Sequence, residues 1–225
     1  MATALNASQS QQRPWPEFWP RAKRRLSATD PALGGIIRQH PRIALRPRGD
    51  AFTTLARSVV GQQISVKAAD SVWARVTAAC PEWSPRSVLR RRGSTLRNCG
   101  LSQRKVEYLR DVAGHFADSG EELGRLAQMS DEEVIAYLTR IRGIGRWTAE
   151  MFLIFNLLRP DVLPLDDLGL LKAVGLHYLS GRPAASLQRG EGRRLVTHIA
   201  SRWVPYRSVA TWYLWRSLDP VPVEY

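Results

Sequence analysis

The amino-acid sequence predicts an all-α protein. From Asp50 onward apolar residues recur three and four positions apart, the spacing of one helix face. Serine and aspartate stand where several of these faces begin, as helix N-caps do. No stretch shows a convincing strand alternation of apolar and polar residues.

Taken in order, residues 1–13 are polar and read as disordered. Pro14-Trp15-Pro16-Glu17-Phe18-Trp19-Pro20 is too irregular for a long helix, and its aromatics are expected to dock on the body of the protein. Arg21-Ala22-Lys23-Arg24-Arg25 is a basic run, either a solvated face or a DNA contact. The first helix starts at Asp50 and carries Phe52, Leu55, Ala56, Val59 and Val60 on one face. Gly61-Gln62-Gln63-Ile64-Ser65 interrupts it, and Ser65 caps a second helix with Ala69, Val72, Trp73 and Val76 inward. A short helix follows over Ser84 to Arg91. Ser102 begins a longer one bearing Val106, Leu109, Val112, Ala113 and Phe116. Ser130-Asp131-Glu132-Glu133 is a capping box ahead of Val134, Ile135 and Leu138. That helix runs into Ile141-Arg142-Gly143-Ile144-Gly145-Arg146-Trp147-Thr148-Ala149-Glu150, where Gly-x-Gly implies a tight hairpin before the next helix. Ala149, Phe152, Leu153 and Phe155 form the inner face of this next helix, which stops before Pro160. Asp166 to Val174, Gly190 to Trp203 and Tyr206 to Leu218 complete the set.

The chain has 225 residues, enough for one sizeable core or two small lobes, and 44% are hydrophobic. Its net charge is +13, and only four of the 33 basic residues are lysine, leaving 29 arginines. Guanidinium groups match phosphate geometry and stack on bases, so the balance points to a polyanionic partner. A basic surface without a partner is the plainer alternative. Two cysteines, Cys80 and Cys99, cannot build a four-thiolate zinc or iron–sulfur site and are expected to be free thiols of a reducing cytosol. His40, His115, His177 and His198 show no metal-ligand spacing. No apolar run approaches a membrane span, and the polar start lacks the apolar stretch of a signal peptide. A cytoplasmic protein with no membrane partner is the expectation.

The hairpin carries chemistry of its own. Glycine lets another backbone approach closely, and Gly145 opens a helix whose first N–H groups are free to meet a phosphate. Some twenty residues on, Leu165-Asp166-Asp167-Leu168-Gly169 offers a carboxylate near a helix start. Both aspartates can be caps. Together the two signals suggest an enzyme that grips DNA.

Hairpin, Trp147-Thr148-Ala149 and the following Asp167 resemble the helix-hairpin-helix DNA glycosylases, and within them the 3-methyladenine DNA glycosylase II group. Three further segments carry the resemblance: Arg57 through Val66, Gly100-Leu101-Ser102-Gln103-Arg104-Lys105, and Tyr206-Arg207-Ser208-Val209-Ala210 through Trp215. It covers roughly residues 45–218. The resemblance implies two helical lobes flanking a cleft. One lobe spans residues 51–164; the other joins residues 1–50 to residues 165–225, with Asp167 at the seam. It implies a monomer acting on double-stranded DNA with damaged bases, removing alkylated bases such as 3-methyladenine and 7-methylguanine by flipping them from the helix. Asp167 would be the catalytic aspartate, its carboxylate stabilising an oxocarbenium-like sugar and orienting water, and Asp166 a cap. Trp147, Trp215 and Met151 would wall the base pocket, Gln63 with Gln62 would wedge the duplex, and Gly143, Gly145, Arg146 and Thr148 would meet the DNA backbone. Trp147 stands where relatives with lyase activity place a lysine, so a water nucleophile and no strand cleavage are implied. No cofactor is implied, save a monovalent cation, Na⁺ or K⁺, on the backbone carbonyls of Thr139, Ile141 and Ile144.

The chain departs from the family pattern in four ways. Arg142 replaces the proline before the first hairpin glycine, Gln63 replaces an apolar wedge, and Met151 stands where a pocket tyrosine occurs. The chain is also too short for the N-terminal β-rich domain of some relatives. Two other readings stay open: a glycosylase for oxidised, deaminated or mismatched bases, and a non-enzymatic DNA-binding module.

Overall fold

A computed structural model describes residues 16–45, 50–118 and 125–218. Every regular element among them is helical. The expected disorder of residues 1–13 lies outside the described residues, as do Pro14 and Trp15.

Two helices that the sequence reading did not place come first, α1 (Trp19–Thr29) and α2 (Pro31–Gln39). Proline hides both in the sequence. Pro20 and Pro31 sit in first turns, where a missing N–H removes nothing from the helix. The basic run 21–25 is therefore helical, with Ala22 and Leu26 turned into the core.

Asp30, between these helices, is buried and fully engaged. Its Oδ1 caps α2 by accepting from the N–H groups of Ala32 and Leu33, both at 3.1 Å. Its Oδ2 accepts from the Tyr178 hydroxyl and the Trp203 indole, each at 2.9 Å. One carboxylate thus ties the N-terminal helices to residues about 150 positions further on.

Next come α3 (Ala51–Gly61), α4 (Val66–Ala79), α5 (Pro85–Arg90), α6 (Gly93–Asn98) and α7 (Gln103–Asp118). Ser65 caps α4 and Ser84 caps α5, as their types imply. The short α6 has no side-chain cap and leaves little trace in sequence. α7 is the central post of this lobe, against which α3 and α5 pack. The lobe closes with α8 (Asp131–Leu138) and α9 (Arg146–Phe155), joined by the hairpin. The capping box at Ser130 forms in full, with Glu133 reaching back to the Ser130 N–H at 2.7 Å.

The other lobe holds α10 (Leu168–Tyr178), α11 (Gly190–Ala200) and α12 (Arg207–Leu218), with 3-10 turns at Ala184–Leu187 and Ser201–Trp203. α12 lies between α10 and α2 and is buried nearly all round. The lobes meet where Phe155, ending α9, stacks on Trp215 of α12 with ring centroids 5.8 Å apart. Beside it, Arg207 grips Asp161 through two nitrogens at 2.8 Å, and Ser208 bonds Pro160 and Val162. Cys80 and Cys99 are free and buried. Among the described residues no helix is long and apolar enough to cross a membrane.

Candidate active site

The hairpin owes its shape to Gly143. Its φ is +87°, and a Cβ built there would stand 2.3 Å from the Tyr108 ring, so no other residue fits this turn. Gly145 then takes an extended conformation and opens α9 without any side-chain cap. The N–H groups of the first turn, Thr148 among them, keep the orphan donors that suit an anion. Thr148 itself is buried, so only its amide serves that purpose.

Arg146 behaves differently from the expectation of an available phosphate contact. Its guanidinium spans two carboxylates, Glu150 at 3.0 Å and Glu132 through a two-point contact. Arg142 pairs with Glu107 at 3.5 Å, and its backbone N–H donates to Asp111 at 2.8 Å. Sequence reasoning missed Glu150, which is buried behind the hairpin. Burial pushes its carboxyl up to about 7, against the opposing pull of Arg146.

The backbone carbonyls of Thr139, Ile141 and Ile144 follow one another where α8 ends and the chain turns. Neutral oxygen donors of this kind suit a hard monovalent cation. The Ile141 carbonyl also accepts from Ile144 N–H at 3.1 Å, which leaves it one lone pair for such an ion.

A cleft of about 480 Å³ opens between the hairpin and the α3–α4 turn. It gathers Gln62, Gln63, Gly143, Gly145, Trp147, Thr148 and Met151, which are scattered over ninety residues of sequence. Met151 is buried in its wall, and Phe155 closes the far end. The two glutamines, paired in the sequence reading, separate here. Gln62 donates its amide to the Gly143 carbonyl at 2.9 Å and so is committed to the hairpin rather than to a wedge. Gln63 sits at the tip of the turn, exposed, with φ +58°. Beside it Ile64, passed over in sequence, exposes 40% of its surface as an apolar companion at that tip.

Asp167 stands behind Trp147. The chain assigns both expected roles to this one residue: Asp167 is itself the cap of α10, its Oδ1 accepting from Leu170 N–H at 2.6 Å. The expectation that Asp166 would be the cap is corrected; Asp166 instead pairs with Arg193 at 2.6 Å. Capping does not use up Asp167. Oδ1 also accepts from the Trp215 indole at 2.7 Å, and Oδ2 from the Trp147 indole at 3.0 Å. Two indoles and a helix N-terminus therefore hold an acid that is only 8% exposed. Gly169 makes the arrangement possible, since a Cβ there would press on Trp215 and on Oδ1 at 3.0–3.1 Å.

Residues 56–196 match the family described as HhH-GPD superfamily base excision DNA repair protein. The chain is 34% identical over 175 residues to DNA-3-methyladenine glycosylase 1 of Schizosaccharomyces pombe, covering 75% of this chain and 72% of that protein. It is 34% identical over 202 residues to the DNA-3-methyladenine glycosylase of Saccharomyces cerevisiae, covering 74% and 66%. It thus spans about two thirds of the length of such relatives. Among solved structures, the DNA-3-methyladenine glycosidase of Bacillus halodurans matches with TM-score 0.75 and 34% identity over 88% of this chain and 89% of that one. A Schizosaccharomyces pombe 3-methyladenine DNA glycosylase in complex with abasic DNA matches with TM-score 0.71 and 27% identity over 91% and 99%.

Proposed function

This chain belongs to the HhH-GPD superfamily of base excision DNA repair proteins, and we propose that it is a monofunctional DNA glycosylase that removes alkylated bases from double-stranded DNA. The observation that carries this reading is Asp167, whose carboxylate is held by the Trp215 indole and by the indole of Trp147, a residue of the cleft lining.

The steps follow from the residues. Orphan amides at the start of α9 hold a phosphate, and a cation on the Thr139, Ile141 and Ile144 carbonyls would add positive charge there. The tip at Gln63 fills the space left by the departing base. The indole faces of Trp147 and Trp215 attract a positively charged base such as 3-methyladenine or 7-methylguanine, by about 0.5–2 kcal/mol each. Such a base is already a good leaving group and needs no dedicated proton donor. As the N-glycosidic bond breaks, positive charge grows on the sugar, and the Asp167 carboxylate stabilises it and orients water. A tryptophan at position 147 offers no amine for a Schiff base, so the product is an intact abasic site.

A panel of duplexes, each with one defined lesion, tests the reading by release of free base. Excision of 3-methyladenine and 7-methylguanine ahead of oxidised or deaminated bases is expected. Binding without base release from any duplex would leave a DNA-binding module instead.

A further inference from the structure

Gln62 and Gln63 are neighbours with opposite surroundings. Gln63 projects from the tip of the α3–α4 turn, while the Gln62 carboxamide crosses the cleft floor to the hairpin, donating to the Gly143 carbonyl across 81 residues of sequence. We propose that Gln62 is a positioning residue: it ties the turn that enters the duplex to the hairpin that holds the phosphate, so that wedge and grip stay in register. The inference rests on the glycosylase reading and on Gln63 as the wedge.

The geometry favours a specific tie over general packing. Both joined segments are in left-handed backbone conformations, Gln63 at φ +58° and Gly143 at φ +87°. A non-glycine residue such as Gln63 persists there only where its surroundings hold it. Gly143 is held by the Tyr108 ring, which leaves no room for a Cβ. On the turn side, Lys105 of α7 donates from Nζ to the Val60 carbonyl at 2.8 Å, fixing the end of α3. Gln62 supplies a direct hydrogen bond between the two anchored segments, and Gln63 stays exposed at the tip. A wedge acts only when the phosphate beside it is already in place, because a misplacement of about 1 Å can cost a hundredfold in rate.

The experiment is a double-mutant cycle on the full chain with Gln62→Leu, Gln63→Ala and the pair. Each is assayed by single-turnover release of 7-methylguanine from two duplexes, one with the lesion paired and one with it opposite an abasic gap. Gln62→Leu keeps volume and removes the donor. It should slow excision from paired DNA about tenfold, the factor one net hydrogen bond supports, and should slow the gapped duplex far less. The pair should be no slower than the more damaging single change. Gln62→Lys, which restores a donor, should recover the paired-duplex rate. An equal loss on both duplexes, or additive effects in the pair, would reduce Gln62 to a structural role and overturn the proposal. If Gln63→Ala alone leaves the paired-to-gapped ratio unchanged, the wedge reading fails first, and the tie with it. Thermal unfolding of each variant separates loss of register from loss of fold.

Discussion

Asp167 does two jobs with two oxygens. Oδ1 closes the first turn of α10 and accepts from the Trp215 indole, while Oδ2 accepts from the indole of Trp147, which lines the cleft. Asp167→Asn keeps the size of the side chain and removes its charge. Excision should fall at least about a hundredfold, the scale seen when preorganised charge stabilisation is lost, while equilibrium binding to the same duplex holds or tightens. Asp166→Asn breaks only an exposed pair with Arg193 and should leave the rate nearly unchanged. Trp147→Phe separates two contributions of one residue. The aromatic face remains, but the hydrogen bond to a carboxylate goes, so single-turnover excision should drop roughly tenfold or more. A rate equal to wild type would mean that Trp147 contributes only its ring.

The hairpin and the start of α9 form one electrostatic unit, in which Arg146 is shared between Glu132 and Glu150. Glu150→Gln tests this unit through pH. The Glu150 carboxyl is raised from the ordinary glutamate value to about 7, so the folded state holds its proton over a range where the unfolded chain releases it. Stability from this group is complete in acid and declines as pH rises through 7. At about 1.4 kcal/mol per pH unit, the decline amounts to roughly 3 kcal/mol. Melting temperatures at pH 5, 6, 7 and 8 should show this slope in the wild type and a flatter one in the variant. The Gly143→Ala change addresses the turn itself. Its Cβ would collide with Tyr108 at a left-handed φ, so unfolding free energy should fall by about 2–4 kcal/mol. Denaturant unfolding reads that loss directly.

At the scale of the molecule, charge and topology set how DNA is held. The net charge of +13 is unevenly available, because Arg142, Arg146, Arg193 and Arg207 are each paired with carboxylates. Affinity for duplex DNA should therefore fall with salt by about 0.9 log units per phosphate contact, per log unit of salt. Fluorescence anisotropy over a salt series gives the number of contacts; a flat response would remove phosphate contacts from the binding scheme. Borohydride added during turnover should trap no protein–DNA adduct, because the indole of Trp147 offers no amine for a Schiff base. The lobes are joined by the Phe155–Trp215 stack and the Arg207–Asp161 pair, and the N-terminal helices are tied to the second lobe through Asp30. Both walls of the cleft belong to the first lobe, and the indole bond from Trp147 to Asp167 connects that lobe to the acid of the second.

Local signals were enough to find most helices and the hairpin. α3, α4, α5, α7, α8 and α9 each announce themselves through an apolar period, and most through a capping side chain, and both act within one or two turns of chain. The Gly-x-Gly turn and the carboxylate twenty residues later were legible for the same reason. α1 and α2 were hidden because proline and paired glycines obscure a helix whose stability comes from packing on α12 and from Asp30. Tertiary structure alone decided which of two adjacent aspartates faces two indoles and which faces Arg193, because that choice depends on where α11 and α12 pack. It likewise divided Gln62 from Gln63, drew Glu132 onto Arg146, and made Gly169 the space for Trp215. Each of those contacts joins residues from separate elements, and neither periodicity nor capping carries information about partners at that range.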